Sequence, residues 1–407
     1  MSFKLFNISS MYPGYLELFH KKHPQIDNLS YDEYYNLLLN DTTEFAGSYN
    51  KNFRKSGIDA KCLITNDIFP INKWRSENGI KYTDIKDVII EQVKAFNPEI
   101  LWLENLSNIN RSWLTYVRKE VRSIKLIIAY HCAPYNKSLL EKLRGVDFVI
   151  TCTPGIKNAL EEEGIRSYLV YHGFDTDLLS RLDIHGAIPK NKLVFSGSLF
   201  PGGNIHNARI AFIERLLVER IELSLFVNLE KSYKIKIKQS IYFLSGLLKK
   251  INMERLTDKI PLFEFAKEPV KSYSEILLKS NHQPLFGIDM YNLFNLADVV
   301  LNFHIGAAGD YAGNMRLFEV TGVGSCLLTD NKKNISELFD TDNEIVVYNS
   351  VEDCIEKAKW LMQHEEERKK IASRGHKKTL QYHTVEARCK TIIDIIDKEL
   401  KQSSVTR

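Results

Sequence analysis

The 407-residue sequence has six cysteines and no C-x-x-C pair. Cys62, Cys132, Cys152, Cys326, Cys354 and Cys389 are scattered and mostly lie inside apolar runs, which excludes a disulfide-stapled framework and predicts reduced core thiols. No His, Cys and carboxylate cluster has zinc-motif spacing, so no metal is expected. No window approaches the roughly 18–20 apolar residues of a membrane span, and the opening MSFKLFNISSMYPG lacks the apolar core of a signal peptide. A cytoplasmic location is the expectation. No Pro, Gly or Ser tract and no repeat period are present, which excludes a disordered chain or a solenoid. Charge of one sign is also scarce: the net +4 is small for this length, and no DNA- or RNA-binding motif accompanies it, so no nucleic-acid partner is expected.

What is present is a globular composition, with 44% apolar and 26% charged residues. Domains of about 100–200 residues make two the working number. Short apolar runs alternate with helical patterns throughout, the mark of βα units that build parallel sheets. The fold class is α/β. In the first half, strands are predicted at Phe3–Ile8, Lys61–Thr65, Ile100–Leu103, Leu126–Tyr130, Phe148–Thr151 and Tyr168–Tyr171, with a helix at Ile85–Phe96. A second series runs through Leu193–Ser196, Leu223–Val227, Asp298–Phe303, Ser325–Thr329 and Glu344–Val347. His172 to Pro189 reads as the linker, and the tail from Val385 as an amphipathic closing helix. The expected division is 1–175, 176–384 and a helix at 385–407 packing back on the first domain.

Ligands of open α/β sheets sit beyond the carboxyl ends of the strands. That rule selects Glu104 and His131 in the first half, and Gly197, Ser198, His304 and Asp330 in the second. The segment from Gly306 to Glu319 places a small-residue loop before a helix, a seat for phosphate on Gly313, Asn314 and Met315. Arg316 in the first turn can grip a diphosphate, and Glu319 one turn later can accept from a ribose diol. The alternative is an Arg–Glu pair three residues apart on a solvated helix. Asp175-Thr-Asp177 and Asp340-Thr-Asp342 spell D-x-D by chance and are not credited as metal sites. Lys231 to Lys259 interleaves lysines with apolar residues; it reads either as a helix packed on the sheet with a basic rim or as a surface that touches anionic lipid.

The second half resembles the C-terminal domain of GT-B glycosyltransferases, most closely the spore-maturation CgeB-like group, through Val194–Phe200, Phe286–Asp298, Asp310–Gly324, Leu327–Asp330 and Glu337–Phe339. The first half resembles them through Tyr12-Pro-Gly14 and His131. The resemblance implies two doubly wound Rossmann-like domains facing across a cleft. It implies transfer of a sugar from a nucleotide-diphosphate donor to a hydroxyl of a glycan, glycolipid or protein, without cofactor or metal, in bacterial surface polysaccharide, glycolipid or protein glycosylation. Glu319 takes the ribose position; the sugar-side position falls on Tyr311, with Asp310 beside it. Donor binding is thus expected at Gly197, Ser198, Phe286, Gly287, His304, Tyr311, Gly313, Asn314, Met315, Arg316 and Glu319, and catalysis at His131, Glu104 and Asp310. A nucleotide-sugar-binding subunit without turnover and a sugar-nucleotide epimerase of the same fold are the alternatives. Peripheral contact at the inner face of a membrane through 231–259 is a further expectation.

Overall fold

The computed structural model describes residues 3–43, 45–183, 192–202, 206–250, 269–304 and 309–405. The chain divides into two units. The first comprises Met1–Arg181, Phe286–Ile288 and Thr379–Arg407; the second comprises Leu182–Leu285 and Asp289–Lys378.

Six parallel strands form the sheet of the first unit: β1 (Lys4–Ser9), β2 (Asp59–Ile64), β3 (Ile100–Leu103), β4 (Leu126–Tyr130), β5 (Phe148–Thr151) and β6 (Ser167–Leu169), in the order β2-β1-β3-β4-β5-β6. β3, β4 and β5 are buried along their whole length. Continuous apolar runs are what a parallel sheet covered on both faces requires. One face carries helices such as Ile85–Phe96, which starts on an Asp84 cap to the Lys86 amide and stops at Asn97 in the left-handed region. The other face is covered by Phe45–Lys55 and by the closing helix Val385–Val405, which buries Cys389, Ile392 and Ile396 against Ile128 and Phe148. Glu399 of that helix is buried and accepts from Arg166 (2.6 Å) and Tyr168 (2.5 Å).

The sheet of the second unit holds β7 (Leu193–Leu199), β8 (Leu223–Leu229), β9 (Asn281–His282), β10 (Val299–Asn302), β11 (Cys326–Asp330) and β12 (Val346–Tyr348). Their order is β12-β11-β10-β7-β8-β9, again parallel. β7 runs through Gly197 and Ser198 instead of ending at Ser196, because Ser196 to Leu199 continue the ladder against Phe226 to Leu229. β12 starts two residues later than its apolar run predicts: Thr341 bridges Ile345 and Asp342 adopts φ 65°, which holds the preceding residues in a turn. Gly375 permits close packing here, since a Cβ would lie 2.3 Å from the Glu344 carbonyl oxygen.

The segment expected to be a linker is structured over its first part. Phe174 is buried and pairs with Thr384, and Thr176–Arg181 forms a 3-10 turn whose Arg181 donates to the Asp41 and Thr42 carbonyls. Residues 184–191 lie outside the described residues. The basic segment forms the helix Ser232–Lys250, and 251–259 lie outside the described residues. No helix among the described residues is long and apolar enough to cross a membrane.

Candidate active site

In the second unit the strand order reverses direction between β7 and β10, which is where ligands of doubly wound sheets bind. Two arginines converge there. Arg316 opens the helix Arg316–Gly322; its side chain is 15% exposed. It donates to Glu319 at 2.7 Å and to the Ser196 carbonyl at 3.3 Å, and it lies over the Phe294 ring at 4.3 Å. Arg209, in the first turn of the helix Asn207–Val218, is 8% exposed and donates to the Ser198 and Phe303 carbonyls. Ser196 and Ser198 are two residues apart on one strand, so these anchor points lie about 6–7 Å apart. Arg209 makes no ion pair among the described residues, and its Nε has no hydrogen-bond partner among them. Burial first, and then the Arg316 charge, lower its proton affinity to about 10, which leaves it cationic at neutral pH. Its hydrogen bonds go to carbonyls and the Asp330 charge acts on it without forming an ion pair, so this buried cation can still take a direct contact from an anion.

The Arg316–Glu319 pairing expected of the plainer alternative does form, but with Glu319 buried and Arg316 partly buried rather than on a solvated face. Glu319 also accepts from Tyr291 at 3.3 Å. Beside this pair, His304 follows β10, buried, with its backbone N–H and Nδ1 at 2.9 and 2.7 Å from the Asp330 carboxylate. Its Nε2 has no hydrogen-bond partner among the described residues. Burial alone would raise the Asp330 carboxyl, but the hydrogen bonds and charge of His304, with Lys332, outweigh it and hold the group below its ordinary value.

The loop before Arg316 is fastened at two points. Asn314 pairs with Asn302 of β10 at 2.8 Å, and Ala312 is gripped through N–H and C=O by the Asn334 amide at 2.7 and 3.0 Å. Gly313 is buried, and Met315 caps the helix without a side-chain hydrogen bond. Asp310 stands apart: it is 68% exposed and paired to Lys333 at 2.7 Å, whose hydrogen bond and charge hold it below the ordinary carboxylate value. Tyr311 is half-buried under the same lysine. Gly306 lies outside the described residues. An open cavity of about 840 Å³ borders this region, lined by Phe212, Phe303, Asp330, Lys332, Tyr348 and Asn349. Its Lys332 is already paired to Asp330 at 3.4 Å, so the arginine pair is the better seat for an incoming anion.

In the first unit the switch in strand order falls between β1 and β3. Glu104 lies at that point, half-buried, accepting from Asn7 at 3.1 Å and from Ser9. His131 follows the next strand, β4. Its backbone N–H donates to Ile150, while its buried Nε2 has no partner among the described residues. Burial lowers its proton affinity below the ordinary imidazole value, so the ring is neutral near pH 7 and able to accept a proton. Phe286 and Gly287 belong to the first unit: the Phe286 ring lies over Gly14, where a Cβ would come within 2.5 Å of it, and Gly287 takes φ 60° beside Tyr15. In both D-x-D strings the aspartates have partners within the protein. Asp175 and Asp177 are paired to Lys51 at 2.9 and 3.0 Å, and Asp340 accepts from Asn343 within its own turn.

Arg209 was not singled out by sequence reasoning. Its one signal is a basic residue in the first turn of the helix that follows the Gly-rich end of β7.

Residues 262–394 match a family model described as glycosyl transferase-like. That span contains Arg316 and Glu319 and stops short of β7. No curated protein matches the chain in sequence. Among solved structures the chain is similar to a glycosyltransferase from Rickettsia africae, at 11% identity over 98% of each chain with a TM-score of 0.54. It is similar to Anabaena HepE in complex with UDP and glucose, at 11% identity over 97% of this chain and 100% of that one, with a TM-score of 0.56. A third is an alpha-glucosyltransferase in complex with UDP-glucose and DNA containing an abasic site, at 12% identity over 98% and 100%, with a TM-score of 0.54. Two six-stranded parallel sheets with flanking helices, matched over the whole length to such enzymes, establish the GT-B fold.

Proposed function

We propose that the chain is a glycosyltransferase that moves a sugar from a nucleoside-diphosphate donor to a hydroxyl acceptor. The observation that carries this reading is the pair of guanidiniums at the β7/β10 switch point, buried Arg209 and partly buried Arg316, next to the buried carboxylate of Glu319.

Sugar transfer leaves a nucleoside diphosphate whose negative charge grows as the anomeric carbon becomes oxocarbenium-like. Donors already in place stabilise that charge without reorganising. Arg209 and Arg316 supply two fixed cations, and Glu319 accepts from the ribose hydroxyls once it shares its Tyr291 and Arg316 contacts. No metal or cofactor enters this route. In an inverting course His131 takes the acceptor proton: its Nε2 has no partner among the described residues and its ring is neutral near pH 7, whereas Glu104 is already engaged by Asn7 and Ser9. Asp310, 68% exposed and paired to Lys333, is a less sheltered group and is not assigned this step. UDP-glucose, the ligand of the alpha-glucosyltransferase, is the first donor to try.

The motif pattern supports membership of the CgeB-like group and a place in bacterial surface polysaccharide, glycolipid or protein glycosylation, with the protein in the cytoplasm. The helix Ser232–Lys250 supports peripheral contact with anionic membrane. It buries Ile235 and Ser245 but exposes Tyr233, Ile237, Phe243, Leu244 and Leu247 among its lysines.

The test is a thermal-shift panel of UDP-, GDP-, dTDP- and CMP-sugars. At about 100 times Kd, a bound donor stabilises by about 2.7 kcal/mol. One diphosphate class is expected to raise Tm, with the shift diminished in Arg209→Ala and Glu319→Ala. Indifference of the wild type to every donor contradicts the reading.

A further inference from the structure

Three side chains at the carboxyl end of the first sheet play no part in the proposed transfer: Cys132, Cys152 and His172. They follow β4, β5 and β6, and the parallel register brings them together. Tyr130 lies opposite Ile150, so the next residues on the same face are Cys132 and Cys152; Thr151 lies opposite Leu169, which carries the chain on to His172. The Cys152 N–H donates to Cys132 Sγ at 3.0 Å. The two sulfurs and a histidine ring nitrogen all lie within 4.8 Å of one another.

We propose that Cys132, Cys152 and His172 form a binding site for a single thiophilic cation of filled d shell, Zn²⁺ first among them, separate from the donor site of the second unit. Two thiolates and one imidazole are a recurrent zinc donor set, with a fourth position left for water or another ligand. At a Zn–S distance of about 2.3 Å, tetrahedral geometry places two sulfurs about 3.8 Å apart, so ligand atoms within 4.8 Å close on the ion through side-chain adjustment alone.

The surroundings hold the histidine in place. The Tyr130 hydroxyl lies 3.2 Å from His172 Nδ1, and Arg388 of the closing helix donates through Nε to the His172 carbonyl at 3.0 Å. Outer contacts of this kind orient a metal-binding imidazole. Phe45 and Tyr130 pack around the ring and limit water access. The thiols are also unequal. Burial would raise Cys132, but hydrogen bonds from Cys152 and His172, the His172 charge and the Tyr130 hydroxyl outweigh it and hold this thiol well below its ordinary value. Burial and the neighbouring Cys132 push Cys152 up. Whatever protons the two thiols and the imidazole carry pass to the solvent when the ion binds. A cation here ties three strand ends together directly beside His131, and the site stands whether or not the transfer reading does.

The test uses the full chain, reduced and stripped with a chelator, titrated with Co²⁺ and then with Zn²⁺. The expected result is one equivalent of cobalt, a sulfur-to-cobalt charge-transfer band in the near ultraviolet, displacement of that band by one equivalent of zinc, and a higher Tm with zinc. Cys132→Ala and Cys152→Ala should each lose the zinc-dependent rise in Tm and weaken or abolish the band. The wild-type titration needs no variant to fold, and absence of a charge-transfer band at equimolar cobalt overturns the proposal. So does a band of undiminished intensity in both cysteine variants.

Discussion

The two units solve the same architectural problem and place opposite chemistry at the same spot. Each is a six-stranded parallel sheet, and each has one point where the strand order turns back: β1/β3 in the first and β7/β10 in the second. Beyond the first lie neutral or internally satisfied groups, namely Glu104 tied to Asn7 and Ser9, and the depressed imidazole of His131 on the next strand. Beyond the second lie a buried guanidinium, a partly buried one and a buried carboxylate. A switch point offers the same geometric vacancy in both, so the side chains at the strand ends decide what each accepts. The first suits proton transfer to and from a hydroxyl; the second suits an anion.

That contrast is open to test at both ends. The largest effect is expected from His131→Ala, which should lower turnover by about 10²–10⁴-fold while leaving nucleotide affinity unchanged, read by steady-state kinetics beside calorimetry. A parallel loss of donor affinity would erase the distinction between the units. Next, Arg316→Met leaves the Glu319 carboxylate buried without its cation and should cost about 3–5 kcal/mol of stability in urea unfolding. Arg316→Met paired with Glu319→Gln should recover part of that loss, because the uncompensated charge is gone. Arg209→Ala removes a cation that has no ion-pair partner among the described residues. It should weaken nucleoside-diphosphate binding by about 1.5–3 kcal/mol with little loss of stability. The smallest effect is on pH dependence. Burial favours the neutral imidazole, so His131 accepts its proton at lower pH than an ordinary histidine, and a catalytic base must be unprotonated. The acid limb of kcat/KM should therefore lie at lower pH than an ordinary histidine would give, and vanish in His131→Ala.

The fold was more legible in the sequence than the site. β3, β4, β5 and the helix Ile85–Phe96 begin and end where the apolar pattern does, because central parallel strands are buried on both faces and the helix is bounded by an Asp cap and a left-handed Asn. β9 carries no comparable signal: it is two residues long, Asn281 and His282, and exists through its pairing with β8. Arg316 and Glu319 were readable because a small-residue loop precedes them. Arg209 was not, since a lone arginine on a helix looks solvated until the helix is seen to turn it under the strand ends. Cys132, Cys152 and His172 are spaced twenty residues apart at each step, the length of one βα turn of this sheet. Local motif spacing does not show them, because strand pairing rather than a loop assembles them.

The central claim is that the second switch point holds a diphosphate between Arg209 and Arg316. Calorimetric titration of UDP, GDP and dTDP into the wild type and Arg209→Ala, at one salt concentration, tests it most directly. The account predicts saturable binding of at least one of these nucleotides to the wild type, weakened on the order of 10–100-fold in the variant. Equal affinity for the two proteins, or no binding of any nucleotide to the wild type, would contradict it.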